Sequence, residues 1–232
     1  MSANRAAGRR KQNAALGGRR GPSTWAIVAV VAVVLFAGAV GFGVYRAGRS
    51  GEDIPIPAGA TATGVPIGQP AARATIDLYV DFQCPACKVY EEQVGPTIDE
   101  LVAAGSAKVA YHPVAFLDRF STTQYSTRSS AASGCAQDAG VFTAYTKLLF
   151  ANQPPENSPG LPDEQLIALG RQAGAGEGFA TCVTDQRYVP WTRSVTDDAS
   201  RSGVNATPTV KVNGQEIDRT VEALRQAVQA AG

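Results

Sequence analysis

Ala74-Thr75-Ile76-Asp77-Leu78-Tyr79-Val80-Asp81-Phe82-Gln83-Cys84-Pro85-Ala86-Cys87 is an apolar, β-rich run that ends in a C-x-x-C pair. Residues 74–82 read as a strand. Lys88 to Ala104 then places Val89, Val94, Ile98, Leu101 and Val102 close to helical period, with Pro96 predicting a kink. The pair therefore sits at a strand-to-helix turn, where unpaired N–H groups and the positive end of the helix dipole lie beside the first sulfur. That placement reads as a dithiol redox centre. A zinc site needs a second C-x-x-C or paired His and Cys at short spacing, whereas Cys135 and Cys182 stand alone and His112 is the only histidine. Neither a metal nor a cofactor is expected.

Downstream, Ala107 to Phe116 reads as a second strand, and two strands flanking one helix make a βαβ unit. The C-x-x-C then falls at the carboxyl end of a parallel strand, where α/β folds place their sites. From about 119 to 203 the pattern is helical, in segments near 121–138, 141–151, 163–173, 177–184 and 188–202, separated by turns such as Asn152-Gln153-Pro154-Pro155. Thr207 to Val212 returns to strand character, Asn213-Gly214 supplies a hairpin turn, and a last helix begins near Thr220. One α/β core interrupted by one helical block explains the order.

The chain has 232 residues, 44% hydrophobic and 18% charged, with a net charge of +1. Residues 1–49 hold eight basic side chains and no acid, so residues 50–232 carry the other 13 basic and all 20 acidic ones, a net of −7. An acidic folded part excludes a nucleic-acid footprint. Instead the basic residues flank Trp25 to Tyr45, 21 residues without a charge. At about 1.5 Å per residue that run reaches roughly the 30 Å of a bilayer core. Six basic residues precede it and Arg46 and Arg49 follow, which by the positive-inside bias puts the N-terminus in the cytoplasm. A cleaved signal peptide would have an apolar region of about 7 to 15 residues and a small-x-small site just after it. The nearest such triplet, Ala58-Gly59-Ala60, lies too far downstream, so an uncleaved single-pass anchor in the cell membrane is expected. The organisation expected is thus a disordered basic cytoplasmic tail (1–24), a transmembrane helix (25–45), a flexible linker rich in Gly, Pro, Ala and Thr (46–72) and an extracytoplasmic domain (73–232). There all four cysteines meet an oxidising environment, where disulfides persist.

With Asp81-Phe82-Gln83-Cys84-Pro85-Ala86-Cys87 closing a strand, a helical insertion, and Gly203-Val204-Asn205-Ala206-Thr207-Pro208-Thr209 opening a late strand, residues 60–230 resemble the DsbA-like branch of the thioredoxin superfamily. The resemblance implies a thioredoxin fold with a helical insertion between its βαβ and ββα halves. It implies that Pro208 is cis and faces the C-x-x-C, leaving the backbone of Thr207 free to pair with an extended peptide. It implies that Cys84 accepts substrate thiolates while Cys87, one turn in, closes the internal disulfide. The activity implied is formation of disulfides in reduced exported polypeptides, with a quinone-linked membrane oxidase as the reoxidising partner. Alternatives are a disulfide reductase or isomerase of the same fold, or a thioredoxin-like binding or metal-delivery module.

Three positions depart from the strongly oxidising pattern. The spacer Pro85-Ala86 stands where those relatives carry Pro-His. The acid that thioredoxin relatives place six residues before the first cysteine is Leu78, which leaves Asp81 either to assist proton transfer from Cys87 or to be a polar residue at a strand end. Thr207 is also met in isomerases and reductases. Cys135 and Cys182 form the remaining even set and read as a structural disulfide, against two buried reduced thiols. His112 reads as a structural histidine, and Tyr79, Phe82, Tyr111 and Trp191 as core or groove residues.

Overall fold

Ala74–Val80 alternates strictly between buried and half-buried side chains and forms the central strand, β2, of a five-stranded sheet. The computed structural model describes residues 54–231 together with Val33 and Gly38. The expected tail at 1–24, the rest of the expected anchor at 25–45 and the first part of the expected linker lie outside the described residues. Among the described residues no helix is long and apolar enough to cross a membrane.

In chain order, β1 (Val65–Ile67) and β2 lead to helix α1 (Pro85–Ala103) and β3 (Ala107–Pro113). A 3₁₀ turn at Asp118–Phe120 opens the helical block: α2 (Tyr125–Asp138), α3 (Phe142–Ala151), α4 (Asp163–Gln172), α5 (Gly178–Thr184) and α6 (Val189–Arg201). Strands β4 (Thr209–Val212) and β5 (Gln215–Glu216) and helix α7 (Val221–Ala231) complete the domain. The sheet order is β1-β3-β2-β4-β5, with β2 parallel to β3 and the other pairs antiparallel. Leu78 lies opposite Tyr111 on one side and Val210 on the other. α1 continues through Pro96 to Ala103.

Period two divides the sheet. Leu78, Val109 and Tyr111 face Ile98 and Val102 of α1, and α1 also packs against α7. Asp77, Tyr79 and His112 point to the other face, where α6 meets β3. There His112 is buried, with Nδ1 2.6 Å from the Thr63 carbonyl, Nε2 3.3 Å from Asp77 and its ring stacked on Tyr79. Trp191 is fully buried and donates to the Thr61 carbonyl, so it belongs to the core.

The linker expected over 46–72 needs correction, because its described part, residues 54–72, belongs to the folded unit. The Ala58 N–H donates to Asp138, Thr61 and Gly64 close a turn, and β1 pairs with β3 at Val65–Tyr111. Gly64 allows the approach, since a Cβ there would sit 2.5 Å from the Tyr111 carbonyl oxygen. Composition alone reads as a tether; contacts from residues far along the chain make it an edge of the sheet.

Candidate active site

Where β2 ends, the Cys84 N–H donates to the Asp81 carbonyl at 2.9 Å and turns the chain into α1. Cys84 is the N-cap of that helix in extended conformation, and Pro85 takes the first helical position, where a missing N–H costs nothing. The Cys84 carbonyl accepts from Cys87 and Lys88 at 3.1 and 3.2 Å. Cys84 keeps 6% of its surface and Cys87 none, while Pro85 and Ala86 are exposed. Both cysteines are reduced here.

Antiparallel pairing of β2 with β4 places Tyr79 opposite Thr209 and carries the preceding Thr207–Pro208 peptide, which is cis, to the first cysteine. The Cys84 thiol donates to the Thr207 carbonyl at 3.4 Å. The electrostatics of the two sulfurs diverge. Cys84 is drawn down from 9.0 to about 6, chiefly by the hydrogen bond with Cys87, with help from Thr207 and the N–H groups of Cys87 and Ala86, and against burial. For Cys87 burial pushes the thiol well above its usual value, and the hydrogen bond and charge of Cys84 add to that. One sulfur is primed as a thiolate and its partner holds its proton.

Asp81 is fully buried one turn before the pair. Its carboxyl accepts from the Gln83 N–H at 2.9 Å, the Leu117 N–H at 2.9 Å and the Ser126 hydroxyl at 2.7 Å. Three donors favour the charged form, yet burial outweighs them and raises the group from 3.8 to about 7. At Cys87 the Asp81 backbone partly offsets the effect of burial.

Sequence reasoning missed three polar side chains that close this site. Gln83 donates to the Phe120 carbonyl at 2.6 Å, Ser126 reaches Asp81, and Gln153 donates to the carbonyls of Phe82 and Cys84. Gln83 stands beside Cys84 in the sequence, but Ser126 and Gln153 carry no local signal because they arrive from the helical insertion. Cys135 and Cys182 are bonded at 2.05 Å, joining α2 to α5 within that insertion. Among the described residues no group of three or more His, Cys, Asp or Glu side chains is arranged to hold a metal ion.

The sequence profile of the family described as Thioredoxin matches residues 60–230. The reduced disulfide bond oxidoreductase DsbG of Mycobacterium tuberculosis is 33% identical, with a TM-score of 0.63 over 74% of this chain and 85% of that one. The oxidised DsbA of the same organism is also 33% identical, with a TM-score of 0.63 over 74% of this chain and 90% of that one. The serine/threonine-protein kinase PknE of Mycobacterium tuberculosis is 31% identical over 155 residues, 63% of this chain and 27% of the kinase. The chain thus spans about a quarter of the length of the curated relatives it matches. The sheet, the helical insertion and the dithiol turn all agree with these matches: the chain belongs to the thioredoxin family.

Proposed function

We propose that this protein is a membrane-tethered oxidant that forms disulfides in reduced exported polypeptides, working through Cys84 and Cys87. The observation that carries the reading is the split between the two sulfurs, with Cys84 lowered to about 6 and Cys87 raised. A stabilised Cys84 thiolate favours the reduced enzyme, and an enzyme whose reduced form is favoured is a strong oxidant.

In the forward reaction a substrate thiolate attacks the Cys84 sulfur of the Cys84–Cys87 disulfide. That bond breaks, a mixed disulfide forms at Cys84, and Cys87 leaves as a thiolate that takes up a proton. A second substrate thiolate then attacks the substrate's sulfur in the mixed disulfide, and Cys84 leaves as a stable thiolate. Two electrons have passed to the enzyme. Asp81, titrating at about 7, is assigned the proton that Cys87 gains here and gives up on reoxidation. Thr207 and Pro208 line the sulfur, with the Thr207 backbone offered to an extended substrate. Pro85 and Ala86 leave that approach open.

The uncharged run at residues 25–45 and its basic flank support a single-pass anchor with a cytoplasmic N-terminus and an extracytoplasmic domain. A quinone-linked membrane oxidase is the partner proposed to take the two electrons from the reduced pair, with Cys87 giving up its proton as the disulfide re-forms. After reduction of intact cells with a membrane-impermeant reductant, a membrane-impermeant maleimide should label Cys84, and failure to do so overturns the topology.

The Pro85-Ala86 spacer favours a second reading, a reductase or isomerase, because no imidazole stands between the cysteines to hold the thiolate. Equilibration of the 84/87 pair against glutathione separates the two. A potential of about −120 to −180 mV matches the oxidants, and one of about −270 mV matches the reductases.

A further inference from the structure

Gln153 leaves the helical insertion in the loop after α3, and its Nε2 donates to the Phe82 carbonyl at 3.0 Å and to the Cys84 carbonyl at 2.9 Å. Phe82 lies on the strand side of the C-x-x-C turn and Cys84 caps the helix side. A primary amide has two N–H donors, one for each carbonyl, so a single side chain ties both sides of the turn. The loop is held in place by apolar contact as well, since the Phe150 ring packs 5.2 Å from that of Phe82 and the Gln153 N–H donates to the Phe150 carbonyl.

We propose that Gln153 is a positioning residue of the dithiol centre, through which the helical insertion fixes the turn and sets how strongly Cys84 favours its thiolate. The inference rests on the reading of Cys84 as the attacking sulfur. Its physics is local. The amide hydrogens bring partial positive charge against the negative ends of two carbonyls, one of which belongs to the residue bearing the reactive sulfur. Without them the Phe82 carbonyl loses this donor and the Cys84 carbonyl keeps only the N–H groups of Cys87 and Lys88, so negative potential at the turn rises, and a charge placed at the same point acts with its own sign.

The test uses the full chain and three substitutions, Gln153→Met, Gln153→Glu and Gln153→Lys, with Cys84→Ser beside them. Thiolate absorbance gives the Cys84 titration midpoint, and glutathione equilibration gives the redox constant. Met should raise the midpoint and move the equilibrium toward the disulfide form by about threefold, the worth of one ordinary hydrogen bond. Glu should do the same by about tenfold, which is about 30 mV for a two-electron couple. Lys should lower the midpoint and move the equilibrium toward the dithiol. A purely structural role would shift all three in one direction, and that result, or three unchanged midpoints, overturns the proposal. Should the Met variant fail to fold, the opposite signs of Glu and Lys still decide it. If Cys84→Ser retains exchange, the reading of the dithiol centre itself fails. If that variant is inactive while the Gln153 series is flat, only the role of Gln153 is lost.

Discussion

The Cys84 thiol meets the Thr207 carbonyl at 3.4 Å across 123 positions of sequence. The contact exists because β2 and β4 pair antiparallel with Tyr79 opposite Thr209, so the residues just past one strand and just before the other share an end of the sheet. Sheet register thus places the redox sulfur beside the cis Thr207–Pro208 peptide.

A titration of the reduced domain follows. Thiolate absorbance should show a midpoint near pH 6 that Cys84→Ser abolishes. Because the hydrogen bond from Cys87 is the largest cause of the lowering, Cys87→Ala should raise that midpoint. The linkage has a definite sign. The folded value lies below the 9.0 of the unfolded chain, so the thiolate's stabilisation of the reduced fold is complete above pH 9, declines as pH falls toward about 6, and is gone below it. Melting of the reduced domain at pH 6, 7, 8 and 9 beside that of Cys84→Ser, which keeps Asp81, isolates the Cys84 contribution: the difference should grow with pH, and a constant difference contradicts it.

The buried position of Cys87 leads to a trapping result. With Cys87→Ser, a disulfide-bearing peptide should remain attached to Cys84, because the internal thiol that would release it is missing. Non-reducing electrophoresis and intact mass should show the adduct. Cys84→Ser should give none, and turnover of both variants should drop to the uncatalysed rate. Adduct formation at Cys87 in the Cys84 variant would reverse the assigned roles.

Asp81 titrates in the opposite sense. Its folded value, about 7, lies above 3.8, so the protonated carboxyl stabilises the fold fully below pH 4 and this contribution is lost as pH rises through 7. The whole span is on the order of 4 kcal/mol. Asp81→Asn should flatten the stability profile between pH 4 and 7. It should also remove an inflection near pH 7 from the exchange rate, and slow exchange by about tenfold to a hundredfold, the range of a lost proton-transfer group. An unchanged rate profile would reduce Asp81 to a structural tie between the strand end, Leu117 and Ser126.

Much of this architecture is readable along the chain, and the exceptions share one cause. The strand before Cys84 and the helix after it show their periods locally, and the five helices of the insertion fall within a few residues of the segments expected. The short strand Val65–Ile67 sits among Gly, Pro and Thr and pairs with β3 more than 40 positions later, so no window reveals it. α2, YSTRSSAASGCAQD, lacks an apolar stripe because it is buried on nearly every side. Its serines are satisfied within the protein, as Ser130 is by the Pro113 carbonyl at 2.7 Å. The cysteines of the site are visible from spacing, but whether Asp81 was a surface carboxylate or a buried one depended on Ser126 and Leu117. Gln153 has no sequence signal at all, since its partners are backbone carbonyls of a distant turn.

The bridge between Cys135 and Cys182 spans 47 positions and joins two helices of the insertion, one of which carries Ser126 at its other end. Constraining a loop of that length lowers the entropy of the unfolded chain by an amount worth about 4 kcal/mol. Replacing both cysteines with alanine should therefore lower Tm by roughly 8 to 16 °C, at about 2 to 4 °C per kcal/mol for a domain of this size. Below the transition the double variant should keep the Cys84 midpoint and its glutathione equilibrium, because neither bridged sulfur takes part in exchange. Calorimetry and thiolate titration on one preparation separate the two effects. A shifted midpoint in a folded double variant would mean that the bridge acts on the dithiol through α2, whose first turn positions Ser126 against Asp81.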